Sequence, residues 1–197
     1  KDTLLQRGTS NKDGNVSFTA DLPINHKYYI REIQAPDFYY MSSQTYAFTY
    51  SYKNDSTYTY TFTHEFENKE VRGEVHIKKI DKDTEDSVSQ GNASLDGAVY
   101  GLYAAEDIAY PNKKSGIVHR KDELVAKGTI QDGKLDFKDL YLGKYYVKEI
   151  APGEGYLLDE TKYPVTVNYE GQNVEIVHRD VTVKETVKKA GVPVDKD

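Results

Sequence analysis

Residues 141–156 read YLGKYYVKEIAPGEGY and place a carboxylate where a strand is expected to be apolar. Because side chains alternate faces along a strand, Tyr145, Val147 and Glu149 share one face. If that face is the core face, Glu149 is buried, and a lone ionised carboxylate in a core is too costly to stay unpaired. The Ala-Pro-Gly at 151–153 ends the strand, because proline cannot donate to a ladder. Glu149 is therefore either a strand-end residue that reaches water or a buried group with a partner.

The composition is that of a β-rich chain without disulfides. Its 197 residues include 18 Tyr and 6 Phe but no Cys, which excludes disulfides and zinc–thiolate sites. The net charge is −6 and no basic cluster occurs, so neither nucleic acid nor an anionic membrane is expected as a partner. No apolar run is long enough to span a bilayer, and any targeting element is expected outside the chain.

The periodicity predicts an all-β fold. Residues 28–33, 46–52 and 57–66 alternate at period two, and turn residues separate them. From Gly73 the pattern restarts with another alternating strand. The acidic run at 81–92 lacks the spacing of a calcium loop and is expected to be a solvated turn.

An internal repeat divides the chain into two unequal copies. YYIREI at 28–33 aligns with YYVKEI at 145–150, and the alternation ending at Asn68 is aligned with the one ending at Asp180. The first copy has no counterpart of residues 73–123. The predicted domains are the C-terminal part of a β domain, a complete β domain and a polar tail or linker, at 1–70, 73–187 and 188–197.

In the complete copy, three predicted inward faces end in polar residues. Lys79 ends the face of the first strand, Glu149 that of a middle strand and Asp180 that of the last strand. Three such residues predict a buried cluster. The residues alone leave open whether this cluster is a plain ion network or a chemically reactive group.

Three segments resemble the CnaB-type (SpaA-like, prealbumin-like) domains of Gram-positive surface proteins and pilins. They are GEVHIKKID at 73–81, SLDGAVYGLY at 94–103 and YYVKEIAPGEGYLL at 145–158. The resemblance covers 73 to about 185, with 1–70 as a partial copy. It implies antiparallel immunoglobulin-like or prealbumin-like β-sandwich domains in tandem.

The resemblance also implies an intramolecular isopeptide bond. Lys79 would be the amine, Glu149 the catalytic acid and Asp180 the acceptor. The sequence departs from the family here, because Asp180 lies in His-Arg-Asp-Val rather than in Asn-Lys-Pro. Asn168 and Asn173 are alternative acceptors. Such a bond is a single-turnover reaction of the chain on itself, so no enzyme activity, cofactor or metal ligand is expected.

The implied function is that of a structural stalk module of a surface adhesin or pilus. The expected location is extracellular, at the cell wall, with neighbouring domains of the same protein as partners. A ligand-binding adhesin domain that recognises a host protein or glycan is the alternative, with a tyrosine platform formed by Tyr50, Tyr52, Tyr58 and Tyr60. A hydrolase is not expected, because neither Gly-x-Ser-x-Gly nor His-Glu-x-x-His occurs. The segment YPNK at 110–113 only weakly resembles a pilin lysine motif.

The partial first copy poses a separate question. It has a glutamate box at Glu32 and an acceptor at Asn68, but no preceding lysine strand. An open sheet edge is a template for another strand. The half-domain is therefore expected to be poorly ordered, or completed by a strand such as 192–196 of a neighbouring chain, unless the chain begins inside a longer protein.

Overall fold

The computed structural model describes residues 2–56 and 59–188, and every regular element in them is a β-strand. The prediction of an all-β fold is confirmed. The chain forms two compact units, the first comprising residues up to 33 and 42–67, and the second comprising 34–41 and 68 onward. None of the described residues forms a helix long and apolar enough to cross a membrane.

The second unit includes a segment that was expected to belong to the first copy. Residues 34–41 are bound to it by backbone hydrogen bonds, among them Val71 N–H to Phe38 O at 2.9 Å and Tyr40 N–H to Lys69 O at 2.8 Å. The segment therefore lies alongside the residues that lead into the first strand of the second unit.

The first unit contains two described strands and the second unit nine. They are β1 (His26–Arg31), β2 (Thr45–Tyr50), β3 (Arg72–Asp81), β4 (Val99–Ala104), β5 (Ile108–Ala109), β6 (Ile117–His119), β7 (Leu124–Thr129), β8 (Lys134–Leu140), β9 (Gly143–Ala151), β10 (Tyr163–Val167) and β11 (Ile176–Glu185).

The second unit is a β-sandwich whose first and last strands are neighbours. One sheet has the order β10-β9-β4-β7 and the other β11-β3-β8, with β5 and β6 forming a separate small ladder. All pairs are antiparallel except β11 with β3, which are parallel and place Val183 opposite Lys79. The inward side chains of both sheets form one core, which includes Val75, Ile77, Tyr100, Leu102, Tyr145, Val147, Val177 and Val183.

In the first unit, the described residues form one ladder, between β1 and β2. β1 pairs with β2, and their positions in the repeat correspond to β9 and β10. Residues 59–66, predicted as a strand, form no ladder. In the repeat they correspond to β11, whose neighbour in the second unit is β3. The segment was predicted as a strand from its alternation alone, and among the described residues it pairs with no other strand.

Every second side chain of that segment from Tyr60 to His64 nevertheless packs against an aromatic ring of β2. His64 stacks on Tyr46 at 4.4 Å between centroids, Phe62 lies 4.5 Å from Phe48, and the Tyr60 ring packs edge-on to Tyr50 at 4.8 Å. Of the proposed tyrosine platform, Tyr50 and Tyr60 therefore face each other. Tyr52 is exposed, and Tyr58 lies outside the described residues.

Candidate cross-linking site

Lys79 is a fully buried lysine at the inner face of β3. Val75 and Ile77 precede it on the same face, and all three side chains are shielded from solvent. Its Nζ lies 5.6 Å from the ring centroid of Tyr100 and 5.7 Å from that of Tyr156. The local alternation therefore places Lys79 on the inner face, and the structure adds Tyr100 and Tyr156 as the aromatic rings around its amine.

Two carboxylates meet this amine. Lys79 Nζ is 3.7 Å from Glu149 Oε1 and is in ion-pair contact with Glu185 Oε1. The side chains of all three residues have an exposed fraction of 0%. Glu149 is thus a buried group with a partner, and Glu185, at the end of β11, is a member of the site that the sequence analysis missed.

Asp180 does not lie in this cluster, so its prediction as the acceptor was wrong. Along β11, Val181, Val183 and Glu185 are buried, whereas Asp180 is exposed and pairs in register with His76. A shift of an odd number of residues along a strand moves a side chain to the opposite face. The alternative acceptors Asn168 and Asn173 are exposed as well.

A signal in the sequence could have identified Glu185. Glu149 follows Glu32 by 117 residues, and Tyr156 follows Tyr39 by the same 117. With the same offset of 117 residues, Asn68 of the first copy aligns with Glu185 of the second copy and not with Asp180. Equivalent bridges in the two copies of the repeat, Tyr39 with Glu70 and Tyr156 with Val187, keep this offset.

The electrostatics of the site favour a protonated Glu149. Burial and the neighbouring Glu185 carboxyl group raise the pKa of Glu149 to about 8, although the Asp159 N–H, which donates to Glu149 Oε2 at 2.6 Å, and the charge of Lys79 oppose the shift. At neutral pH Glu149 is therefore a neutral carboxylic acid beside Lys79 and Glu185.

Tyr100 completes the polar contacts of Glu185. Its hydroxyl donates to Glu185 Oε1 at 2.9 Å, and burial followed by the charges of Glu185 and Glu149 raises the pKa of Tyr100. The phenol therefore remains a hydrogen-bond donor. It fixes the orientation of the Glu185 carboxyl group towards Lys79.

Three buried polar atoms of the site lack a hydrogen bond from the described residues. They are Lys79 Nζ, Glu149 Oε1 and Glu185 Oε2. An unsatisfied buried polar group costs about 1–3 kcal/mol, and more when it is charged. The unmet polar groups of the core are thus concentrated at the amine and at the two carboxyl groups that face it.

The loop after β3 supports this cage and is not simply a solvated turn. Asp81 is buried and accepts hydrogen bonds from the Tyr156 hydroxyl at 2.9 Å and from Gln90 Nε2 at 2.9 Å. Burial acts to raise the pKa of Asp81, but these bonds and two backbone N–H donors lower it overall. An ionised Asp81 therefore holds Tyr156 against Lys79.

The glutamate box has the same local geometry in both copies. In the first unit Glu32 Oε2 accepts the Ser42 N–H at 2.6 Å, as Glu149 Oε2 accepts the Asp159 N–H. In the second unit, Asn68 Nδ2 donates to Tyr40 O at 3.3 Å.

Exposed apolar side chains are frequent in the first unit, including Leu4, Leu5, Val16, Phe18 and Phe62. The proposed completing strand at 192–196 lies outside the described residues.

The raised pKa of Glu149 leads to a testable pH dependence. In folded protein Glu149 keeps its proton up to about pH 8, whereas in the unfolded chain it loses the proton near 4.5. The folded state binds more protons than the unfolded state in this pH range. The contribution of Glu149 to the free energy of unfolding should therefore fall as the pH rises from about 4.5 to about 8. Urea unfolding of the parent and of Glu149→Gln across this range measures it. A difference between the two that does not change with pH would contradict a buried, protonated Glu149.

The comparisons with known proteins agree with this architecture. The model of the SpaA prealbumin-like fold domain matches residues 1–65 and 73–182. The Bacillus anthracis TIE protein is 26% identical with a TM-score of 0.59, covering 92% of this chain but only 28% of that protein. No curated protein sequence matches the chain.

Two pilins are more distant structural neighbours. The group B streptococcus pilus 2b backbone protein is 16% identical with a TM-score of 0.42, over 92% of this chain and 78% of that one. The minor pilin of Streptococcus agalactiae is 18% identical with a TM-score of 0.39, over 96% of this chain and 69% of that one. Because the family model matches most of its residues, the chain belongs to the SpaA family of prealbumin-like fold domains.

Proposed function

We propose that this chain is a structural stalk module of a Gram-positive surface protein or pilus, cross-linked by an amide bond between Lys79 and Glu185. The observation that carries the proposal is the contact of Lys79 Nζ with Glu185 inside the buried core, beside the acid Glu149. Membership of the SpaA family and the similarity to pilins and to the TIE protein support the surface role. The module acts at the cell surface, between neighbouring domains of one protein, and not as an enzyme.

The chemistry follows from the burial of the reacting groups. Proton transfer from the Lys79 ammonium to Glu185 gives a neutral amine and a neutral acid, which a low-dielectric core favours over two charges. The amine attacks Cδ of Glu185, while the Glu149 carboxyl donates a hydrogen bond to its carbonyl oxygen. The Nζ–Cδ bond forms, the Cδ–O bond breaks and the hydroxyl leaves as water. Glu149 accepts the amine proton and supplies the proton of the leaving water.

Folding provides the proximity that this reaction needs. In the unfolded chain the amine and the carboxyl are separated by roughly 100 residues, and the parallel pairing of β3 with β11 holds them in contact. The product joins the first and last strands of the unit. Tension that enters at β3 and leaves at β11 is then carried by a covalent path instead of by the hydrogen bonds of the sandwich.

Intact-mass measurement tests this proposal. The parent protein should be lighter than its sequence mass by one water molecule, and a protease digest should contain the Lys79 peptide joined to the Glu185 peptide. Glu185→Gln should instead lose one ammonia, because the amide nitrogen becomes the leaving group. Glu185→Ala and Lys79→Ala should have the full sequence mass.

Asp180→Ala is the matched control for the acceptor, since Asp180 lies on the same strand but faces outward. It should lose one water like the parent. A parent with its full sequence mass would exclude the bond and leave a buried ion network. A mass loss that persists in Glu185→Ala would transfer the acceptor role to another residue.

A further inference from the structure

A second cluster joins β3 and β11 on the outer face of their sheet. Glu74 and His76 project outward from β3, and His178 projects outward from β11, in register with Glu74. The side chains are 17%, 33% and 61% exposed, respectively. All three are potential metal ligands, and one atom of each lies within 4.8 Å of the others.

The donor atoms are spaced as a tetrahedral ion requires. His76 Nε2 is 3.3 Å from His178 Nδ1 and 3.7 Å from Glu74 Oε2, while His178 Nδ1 is 3.4 Å from Glu74 Oε2. An ion about 2.0–2.1 Å from each nitrogen or oxygen places tetrahedral ligands about 3.3–3.4 Å apart. The three atoms therefore form one face of a tetrahedron without rearrangement of the backbone.

A further carboxylate orients one of the ligands. His76 Nδ1 lies 2.8 Å from Asp136 Oδ1, on the neighbouring strand β8. The Nδ1 proton is thereby directed to Asp136, and the lone pair of Nε2 points into the cluster. Carboxylate–histidine pairs of this kind fix the tautomer and increase the basicity of histidine ligands in metal sites.

We infer that Glu74, His76 and His178 form a Zn²⁺ site, with Asp136 as the orienting residue and water in the fourth position. Two imidazoles and one carboxylate suit zinc, whereas Ca²⁺ and Mg²⁺ select sites built from oxygen ligands. The ion would bind β3 directly to β11 through ligands on both strands. Lys79 and Glu185 join the same two strands. The zinc site lies on the opposite face of the sheet, and its ligand Glu74 is five residues before Lys79 in β3.

Zinc titration of the tag-free protein by calorimetry tests this inference. The parent should bind one Zn²⁺ per chain, and its unfolding temperature should rise with Zn²⁺ but not with Mg²⁺ or Ca²⁺. His76→Ala and His178→Ala should abolish the binding. Asp136→Asn should weaken the affinity by about 10–100-fold, the usual effect of losing an orienting carboxylate. Co²⁺ should give the strong visible absorption of a tetrahedral site.

His119→Ala is the matched control, because His119 is also paired with a glutamate, Glu123, at 3.1 Å, but is not part of any three-ligand cluster among the described residues. It should bind zinc like the parent. The Glu185→Ala variant should do so as well, which separates the metal site from the proposed amide. Absence of binding to the parent, or binding that persists in the His76→Ala/His178→Ala double variant, would overturn the site.

Discussion

Lys79→Ala should cause the largest loss of stability of any single side-chain substitution in the second unit. It removes the nitrogen of the proposed amide, and closing a loop of about 100 residues is worth roughly 4.7 kcal/mol in the chain-entropy model. It also leaves Glu185 and Glu149 buried without their cation. Removing one partner of a buried ion pair costs about 3–5 kcal/mol even without a covalent bond.

Thermal and urea unfolding measure this loss, with Lys78→Ala as the control. Lys78 directly precedes Lys79 in β3 but is exposed, so its replacement should change the free energy of unfolding by no more than about 0.5 kcal/mol. The double variant Lys79→Met/Glu185→Leu separates the two causes, because it removes the bond and also fills the site with apolar groups. Equal stability of Lys79→Ala and Lys78→Ala would contradict the site.

Gly153→Ala should cause the second large loss of stability, because this glycine is in contact with another backbone segment. A Cβ at residue 153 would lie 2.2 Å from Ser94 O and 3.5 Å from Asp96 O. The two segments are tied together by the Ser94 N–H, which donates to Glu154 O at 2.8 Å. A backbone atom cannot rotate away as a side chain can, so the segments must separate, at a cost of about 1–3 kcal/mol.

The displacement should also reach the cross-linking site. Tyr156 N–H donates to Gly153 O at 3.1 Å, and the Tyr156 ring covers Lys79 Nζ. We therefore expect Gly153→Ala to lower the unfolding temperature and to slow the loss of water during refolding. Glu154→Ala, an exposed change at the next residue, is the control. A Gly153→Ala variant as stable as Glu154→Ala would show that the close approach to Ser94 is not maintained in solution.

The features determined by the sequence alone are those that depend on local geometry. Alternation along a strand is a property of the backbone, so the inward faces of Lys79 and Glu149 could be predicted without knowing their neighbours. The repeat placed the glutamate box in both copies, at Glu32 and Glu149, before any contact was known.

The features decided only by the tertiary structure are those that depend on pairing between distant strands. The choice of Glu185 over Asp180 follows from the register of β11 against β3, and an error of an odd number of residues reverses the face. The cluster of Glu74, His76 and His178 has the same origin, since its histidines are 102 residues apart in the chain. Local periodicity contains no information about that separation. It is the parallel pairing of the first and last strands that brings these side chains together.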